Sequence, residues 1–328
     1  VINLPDKKYV IGVDLGGTWA RVVLSDRKGN ILERANEKVD KNSSEAVSAQ
    51  LVKLIQFVCK NHNVDASALK GVGIASAGPL DMKKGVLVNP TNLPFNIVSL
   101  TEPVKEALGV PACLINDCAG AALGEAAFGA AKGVENFVYV TISTGIGGGA
   151  IVNGTLLLGK DGNGHEIGHF VIDYEGRLVC GCGKRGHWEA YCSGRNIPNY
   201  VKMRFAETDR RAVRSSVLYK KLQGDMSRLC AADLFDAAKK KDELSTALVG
   251  EIGRLNAIGF ANVINAYDPS LITVGGTVTL KNMAEVIGPV REHVGDYAVN
   301  RLPEIKVTPL GEDVGVYGAV AAALKYLP

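Results

Sequence analysis

Apolar positions in this chain come in short bursts that stop at glycine. Tyr9–Val13 and Ala20–Leu24 are two such bursts, with Asp14-Leu-Gly-Gly-Thr18 between them. Two strands around a glycine-rich turn are predicted, and Ile31–Val39 offers a third strand. The period then changes. Val47, Leu51, Leu54, Ile55 and Val58 share one face of a helix that Ser43 or Ser44 can cap and that runs to Asn61. Gly71–Ala75 and Ala112–Ile115 read as buried strands, and Ala119–Ala131 as a helix. The pattern restarts with apolar Phe137–Ile142, the glycine turn Ser143-Thr-Gly-Ile-Gly-Gly-Gly149 and apolar Ala150–Val152. Helical patterns follow over Ala231–Lys241 and Ser245–Ala266. A strand over Leu271–Val274 ends at Gly275-Gly276, and a last helix spans Val314–Leu324.

No short-period repeat occurs, but the order strand, glycine turn, strand, helix is met twice. Two α/β lobes facing each other across a central cleft would explain that duplication, and 328 residues suffice for two lobes of ordinary size. The expected division is a small N-terminal lobe, residues 1–117, joined by the C-terminal helix at 313–328, and a large lobe over 118–312.

Composition narrows the function classes. Hydrophobic residues make up 47% and charged residues 22%, as in soluble globular proteins. A net charge of +3 is too small and dispersed for a nucleic-acid partner, and the Lys239–Lys241 run lies beside Asp236, Asp242 and Glu243. The seven cysteines are irregularly spaced and outline no disulfide framework. No signal-peptide pattern opens the sequence and no apolar run reaches membrane-spanning length, so no membrane partner and a reducing cytoplasm are expected.

The glycine turns carry the first candidate chemistry. A tight turn presents backbone N–H groups to a polyphosphate, and glycine lets the chain approach closely. Asp14, Gly16, Gly17 and Thr18 form one candidate turn, with Asp14 suited to Mg²⁺ through water. Thr144, Gly145 and Gly147 form an opposing one, and Gly275-Gly276 can pack against a nucleotide's sugar or base. Hairpins also use glycine, so one turn alone would say little; three, each after an apolar strand, say more. The first strand is not followed by the Rossmann glycine spacing, and no Gly-Lys pair is followed by the Ser or Thr of a Walker A signature. A side chain at Gly17 is expected to push phosphates off these amides and so to weaken nucleotide binding more than that of any other ligand.

A second cluster mixes soft and borderline ligands. His169 precedes Cys180-Gly-Cys182, and His187-Trp-Glu189 follows. His169, Cys180, Cys182 and His187 suit a tetrahedral Zn²⁺, structural because four protein ligands leave no open position. Free thiols and surface histidines are the plainer alternative, and His165 and Cys192 are possible substitute ligands.

Taken in order, these segments resemble the ROK family (repressors, open reading frames and kinases) of the actin-like ATPase, or ribonuclease H-like, superfold, over nearly the whole chain. Asp14–Thr18 and Ser143–Gly149 resemble its two phosphate motifs. Gly73–Pro79 and Asn89–Pro94 resemble its sugar-side loops, and Asn116-Asp117 its catalytic pair. Gly164-His-Glu166-Ile-Gly-His169 and Cys180–Glu189 resemble its Glu/His element and zinc loop, with His187 where the family usually has a third cysteine. The resemblance implies an ATP-dependent hexose kinase, with Asp117 as general base for the 6-hydroxyl. Gly78, Asn92, Asn116, Glu166, His169 and Glu189 would hold the sugar. It implies Mg²⁺ with ATP, structural zinc, and a homodimer. Helix capping is the alternative for Asp117, and plain surface carboxylates for Glu166 and Glu189.

Glucose is the first-choice substrate, because Asn92-Leu-Pro94 resembles glucokinase-like members. N-acetylmannosamine, N-acetylglucosamine, mannose and fructose are the alternatives. The rival from another class, a sugar-responsive repressor, would need a helix-turn-helix domain ahead of the strand that begins by Tyr9. A chaperone-type ATPase of the superfold is a further rival that the zinc-loop resemblance disfavours. Zinc removal is expected to impair the sugar more than ATP, because the phosphate turns lie elsewhere in the sequence.

Overall fold

The computed structural model describes residues 7–328, so residues 1–6 of the expected first lobe lie outside the described residues. The chain opens with β1 (Tyr9–Leu15), β2 (Trp19–Asp26) and β3 (Ile31–Lys38), then α1 (Ser44–Asn61), β4 (Leu69–Ser76), β5 (Leu80–Asp81), β6 (Val86–Val88), β7 (Ile97–Ser99), α2 (Thr101–Leu108), β8 (Ala112–Asn116) and α3 (Asp117–Phe128). It continues through β9 (Phe137–Ile142), β10 (Ile146–Val152), β11 (Thr155–Leu156), α4 (Trp188–Cys192), α5 (Ile197–Glu207), α6 (Arg210–Ser215), α7 (Val217–Lys221) and α8 (Ala231–Lys239). It ends with α9 (Glu243–Tyr267), β12 (Leu271–Gly275), α10 (Thr277–Lys281), α11 (Met283–His293), β13 (Glu304–Val307) and α12 (Val314–Tyr326).

The chain divides into two compact units. One runs to Glu135 and takes in Gly149–His165 and Thr308–Pro328; the other comprises Asn136–Gly148 and Glu166–Val307. The boundary falls after Glu135 rather than after residue 117, because α3 packs along α12. Small residues allow that approach: a Cβ on Gly318 would stand 2.4 Å from the carbonyl carbon of Gly120.

The first unit holds a sheet in the order β3-β2-β1-β4-β8. β1, β2 and β3 pair antiparallel, whereas β1–β4 and β4–β8 are parallel. Helix α1 begins where Ser43 Oγ accepts the Ala46 N–H at 3.1 Å, and its predicted apolar face is buried. α12 covers β1 and β4. Gly73 is needed there, because a Cβ would sit 1.9 Å from the Ala319 carbonyl oxygen. Gly73→Ala is therefore expected to destabilise the fold by about 1–3 kcal/mol or more, as overpacking against rigid backbone does. The midpoint of denaturant unfolding measures it. A small antiparallel sheet, β5-β6-β7, completes this unit.

In the second sheet the order is β11-β10-β9-β12-β13, with β9–β12 and β12–β13 parallel. α9 is the long core helix of the second unit, capped by Asp242, and Ile252, Phe260, Val263 and Ile264 on it are buried. Trp188 is also buried: its indole N–H donates to Asn256 Oδ1 at 2.8 Å and its ring meets Phe260 edge-on. Among the described residues no helix is long and apolar enough to cross a membrane.

Candidate active site

In the first unit the candidates gather where parallel strands end. Leu15 pairs with Ser76, and Ser76 with Asn116, so the carboxyl ends of β1, β4 and β8 lie side by side. Such ends are where α/β sheets place ligands. Asp14 lies one residue before the end of β1, opposite Arg21 on β2, whose Nη1 is 3.6 Å from Asp14 Oδ2. The same carboxylate abuts the first turn of α12, since a Cβ on Gly315 would be 2.7 Å from Oδ2. Burial pushes the Asp14 carboxyl up to about 6; Arg21 opposes that shift and the nearby Asp117 charge adds to it. A carboxylate that is costly to ionise alone is suited to receive a cation.

Asn116, not Asp117, caps α3. Its Oδ1 accepts from the Cys118 and Ala119 N–H groups at 2.9 and 3.1 Å. Asp117 is the first helical residue, and its Oδ1 accepts from Cys118 N–H at 2.8 Å. Asp117 is recessed but keeps some accessible surface, and burial pushes its carboxyl above the usual range against the Cys118 hydrogen bonds. Asn116 Nδ2 faces Gly78, where a Cβ would stand 3.9 Å from it.

Asn163, which no motif pointed to, pins the Gly78 loop. Its Oδ1 accepts from Leu80 N–H at 3.1 Å and its Nδ2 donates to the Leu80 carbonyl at 3.0 Å. Gly17 abuts Asn92: a Cβ on Gly17 would be 2.7 Å from Asn92 Cβ and 3.2 Å from its carbonyl oxygen. Asn92 Oδ1 is buried with no hydrogen-bond partner, a cost of about 1–3 kcal/mol that a bound hydroxyl would remove. A side chain at Gly17 thus strikes the expected sugar loop first. Gly17→Val is expected to weaken sugar and nucleotide binding alike, by about 10-fold or more. Separate titrations with glucose and with a non-hydrolysable ATP analogue measure the two losses.

In the second unit the turn Ser143–Gly145 closes with the Ser143 N–H donating to the Gly145 carbonyl at 2.9 Å. The Ser143 and Thr277 hydroxyls, 2.9 Å apart, join it to the Gly275-Gly276 turn at the ends of β9 and β12. Gly276 has φ of 87°, which favours glycine, and a Cβ there would meet the Ile142 carbonyl oxygen at 2.4 Å. Thr144, Gly145, Gly147, Gly275 and Gly276 are therefore neighbours in one unit.

His169, Cys180, Cys182 and His187 converge, their ligand atoms all within 4.8 Å of one another. His169 Nδ1 is 3.1 Å from His187 Nδ1 and 3.7 Å from Cys180 Sγ, and Cys182 Sγ is 3.3 Å from His187 Nδ1. Tetrahedral bonds of about 2.0–2.3 Å to N and S imply edges of roughly 3.3–3.8 Å, so the donor set fits zinc. Burial and the His169 charge lower the His187 pKa, favouring the neutral, ligating imidazole. Burial pushes the Cys180 thiol up to about 12, a shift that a bound cation would reverse. The proposed substitutes are engaged elsewhere: His165 contacts the Leu157 carbonyl, and the buried Cys192 thiol points to the Ile252 carbonyl at 3.7 Å. Glu166 Oε2 lies 3.7 Å from His169 Nε2. Glu189 Oε2 accepts from Ile146 N–H at 2.9 Å, and its Oε1 is 3.5 Å from Cys180 Sγ.

Comparison with known proteins adds to this geometry. The family model described as "ROK family" matches residues 10–326. The chain belongs to the ROK family. A glucokinase of Pyrobaculum calidifontis is 36% identical over 318 residues, which cover 97% of this chain and 95% of that protein. A ROK family glucokinase from Streptomyces griseus, solved with glucose and AMPPNP, is 29% identical with a TM-score of 0.78, covering 95% of this chain and 98% of its own. The ROK hexokinase of Thermus thermophilus is likewise 29% identical with a TM-score of 0.78, covering 97% of this chain and 98% of its own. The ROK chain has the α/β actin-like ATPase fold that the sequence motifs implied.

Proposed function

We propose that this ROK protein transfers the γ-phosphoryl group of Mg·ATP to the 6-hydroxyl of glucose. The single observation that carries the mechanism is Asp117: a recessed carboxylate with a raised pKa at the first turn of α3, beside the ends of three parallel strands. The full-length similarity to glucokinases supports ATP and glucose as substrates. Asp117 accepts the proton of the 6-hydroxyl as that oxygen bonds to the γ-phosphorus; the bond from phosphorus to the β,γ-bridging oxygen breaks and ADP leaves. The transition state is loose, so positioning and charge neutralisation outweigh base strength.

Asp14 would hold the Mg²⁺ of Mg·ATP through water, and the ion would supply charge neutralisation at the phosphates. Gly16, Gly17 and Thr18 on one turn, and Thr144, Gly145 and Gly147 on the other, offer backbone amides and hydroxyls to phosphate. Gly275 and Gly276 leave room for the nucleoside. Asn92, with its unpaired buried Oδ1, and Asn116, through Nδ2, take sugar hydroxyls together with Gly78, Glu166, His169 and Glu189. His169, Cys180, Cys182 and His187 would hold zinc, which would have a structural part in setting the shape of the loop that carries Glu189. The protein works in the cytoplasm, a reading supported by seven cysteines that form no disulfide. It works as a homodimer, which sedimentation checks. The substrate is tested by phosphorylation of a panel of glucose, mannose, fructose, N-acetylglucosamine and N-acetylmannosamine with Mg·ATP. Highest kcat/KM on glucose is expected, and turnover confined to another sugar overturns that choice.

A further inference from the structure

We infer that Glu189 is a positioning residue for the second phosphate turn, through which the metal loop is tied to nucleotide binding. The inference rests on the proposed reading of that turn and that metal site. It departs from the expectation that distance in sequence separates the two.

Glu189 sits on a short, immobilised platform. The preceding residue, Trp188, is fully buried and held by Asn256 and Phe260 of α9. One residue further back is the metal-site His187, so α4 leaves the metal loop already fixed in the core. From that platform the Glu189 carboxylate spans two structures. Its Oε1 lies 3.5 Å from Cys180 Sγ, and its Oε2 accepts from Ile146 N–H at 2.9 Å. Gly145 permits this reach, since a Cβ there would stand 2.5 Å from Oε2.

The chain beyond α4 grips the same turn. Gly194 N–H donates to the Ser143 carbonyl at 2.7 Å and Arg195 N–H to the Thr144 carbonyl at 3.2 Å. Asn196 Nδ2 returns to the Glu189 carbonyl at 3.2 Å. The phosphate turn is thus held at Ser143, Thr144 and Ile146 by one segment that starts at the metal loop. Glu189 also occupies the Ile146 amide. The amides of Thr144, Gly145 and Gly147, which the proposed function assigns to phosphate, flank it in the turn that the carboxylate holds.

The test is calorimetric titration with Mg·AMPPNP in the absence of sugar, on zinc-replete and chelated protein, for the wild type, Glu189→Gln and Glu189→Ala. A hydrogen bond to a charged group supports a loss of about 10-fold or more in nucleotide affinity for Glu189→Ala. Glu189→Gln, whose amide oxygen can accept from Ile146 N–H, should stay within about threefold of the wild type. Chelation should weaken nucleotide binding more in the wild type than in Glu189→Ala, because one of the segment's ties to the turn is already cut. Gly145→Ala, which displaces the carboxylate without removing it, should reproduce the loss if Glu189→Ala fails to fold. Wild-type nucleotide affinity in a folded Glu189→Ala, or in a folded Gly145→Ala, overturns the inference. So does an equal effect of chelation on wild type and Glu189→Ala. A wild type that holds no zinc or binds no nucleotide contradicts the proposed function itself, and shows before any variant is made.

Discussion

Asp117→Asn is expected to lower kcat by about 10²–10⁴-fold while glucose still binds. The amide matches the carboxylate in shape and can still accept from Cys118 N–H, and Asn116 keeps its own cap on α3. What is lost is the atom that takes the proton. The pH dependence separates this from a structural defect. Burial raises the Asp117 pKa, so kcat/KM for glucose should fall as pH drops through a value above the ordinary carboxylate range. The residual rate of Asp117→Asn should lack that limb. Stability should move the other way. A raised carboxyl pKa means the fold favours the protonated acid, so its contribution is present at low pH and lost as pH rises through the folded value. Asp117→Asn should therefore be at least as stable as the wild type at neutral pH. Stopped-assay kinetics across pH and thermal melts of both proteins check these points. Near wild-type kcat would remove Asp117 from the mechanism.

Removal of the proposed zinc is expected to be the second large perturbation. Elemental analysis should find about one Zn²⁺ per chain, and strong chelation should lower Tm by about 10 °C, at roughly 2–4 °C per kcal/mol. Small zinc-dependent domains unfold outright when stripped. Here the loop has other anchors: Asp173 accepts from Arg177 Nε at 3.2 Å and from the Tyr191 hydroxyl, which in turn accepts from Leu178 N–H at 3.1 Å. Melting should therefore come earlier rather than vanish. The KM for glucose should rise, because Glu166 and Glu189 flank the ligands. His187→Ala should lose metal affinity, whereas His187→Cys should keep it, since a thiolate there restores the usual family ligand. Active protein free of zinc would leave Cys180 and Cys182 as ordinary thiols.

Much of the candidate site was legible because the residues proposed for it are local in sequence. Glycine turns after apolar strands, the Asn116-Asp117 pair and the His/Cys spacing each lie within a few residues, and residue type alone states what they can bind. The long elements were legible for the same reason: the apolar face of α1 repeats at helical spacing, and Ser43 caps it. The parts that escaped depend on long-range contact. β5 and β6 have only two and three residues and carry no period. Asn163 meets Leu80 across the fold, and Arg21 meets Asp14 only because β1 and β2 pair in that register. The role of Gly17 changed once Asn92 proved to be its neighbour. Glu189 reads in sequence as a sugar acceptor beside a metal loop. Only the folded chain brings Ile146 N–H to its carboxylate.

The central claim is phosphoryl transfer from Mg·ATP to the 6-hydroxyl of glucose with Asp117 as base. It is tested most directly by ³¹P and ¹³C NMR of purified protein incubated with Mg·ATP and glucose, wild type beside Asp117→Asn. The account predicts glucose 6-phosphate and ADP in equal amounts from the wild type, and a rate lower by about 10²–10⁴-fold from the variant. ADP and inorganic phosphate without sugar phosphate, a phosphate on another hydroxyl, or equal rates from the two proteins would contradict it.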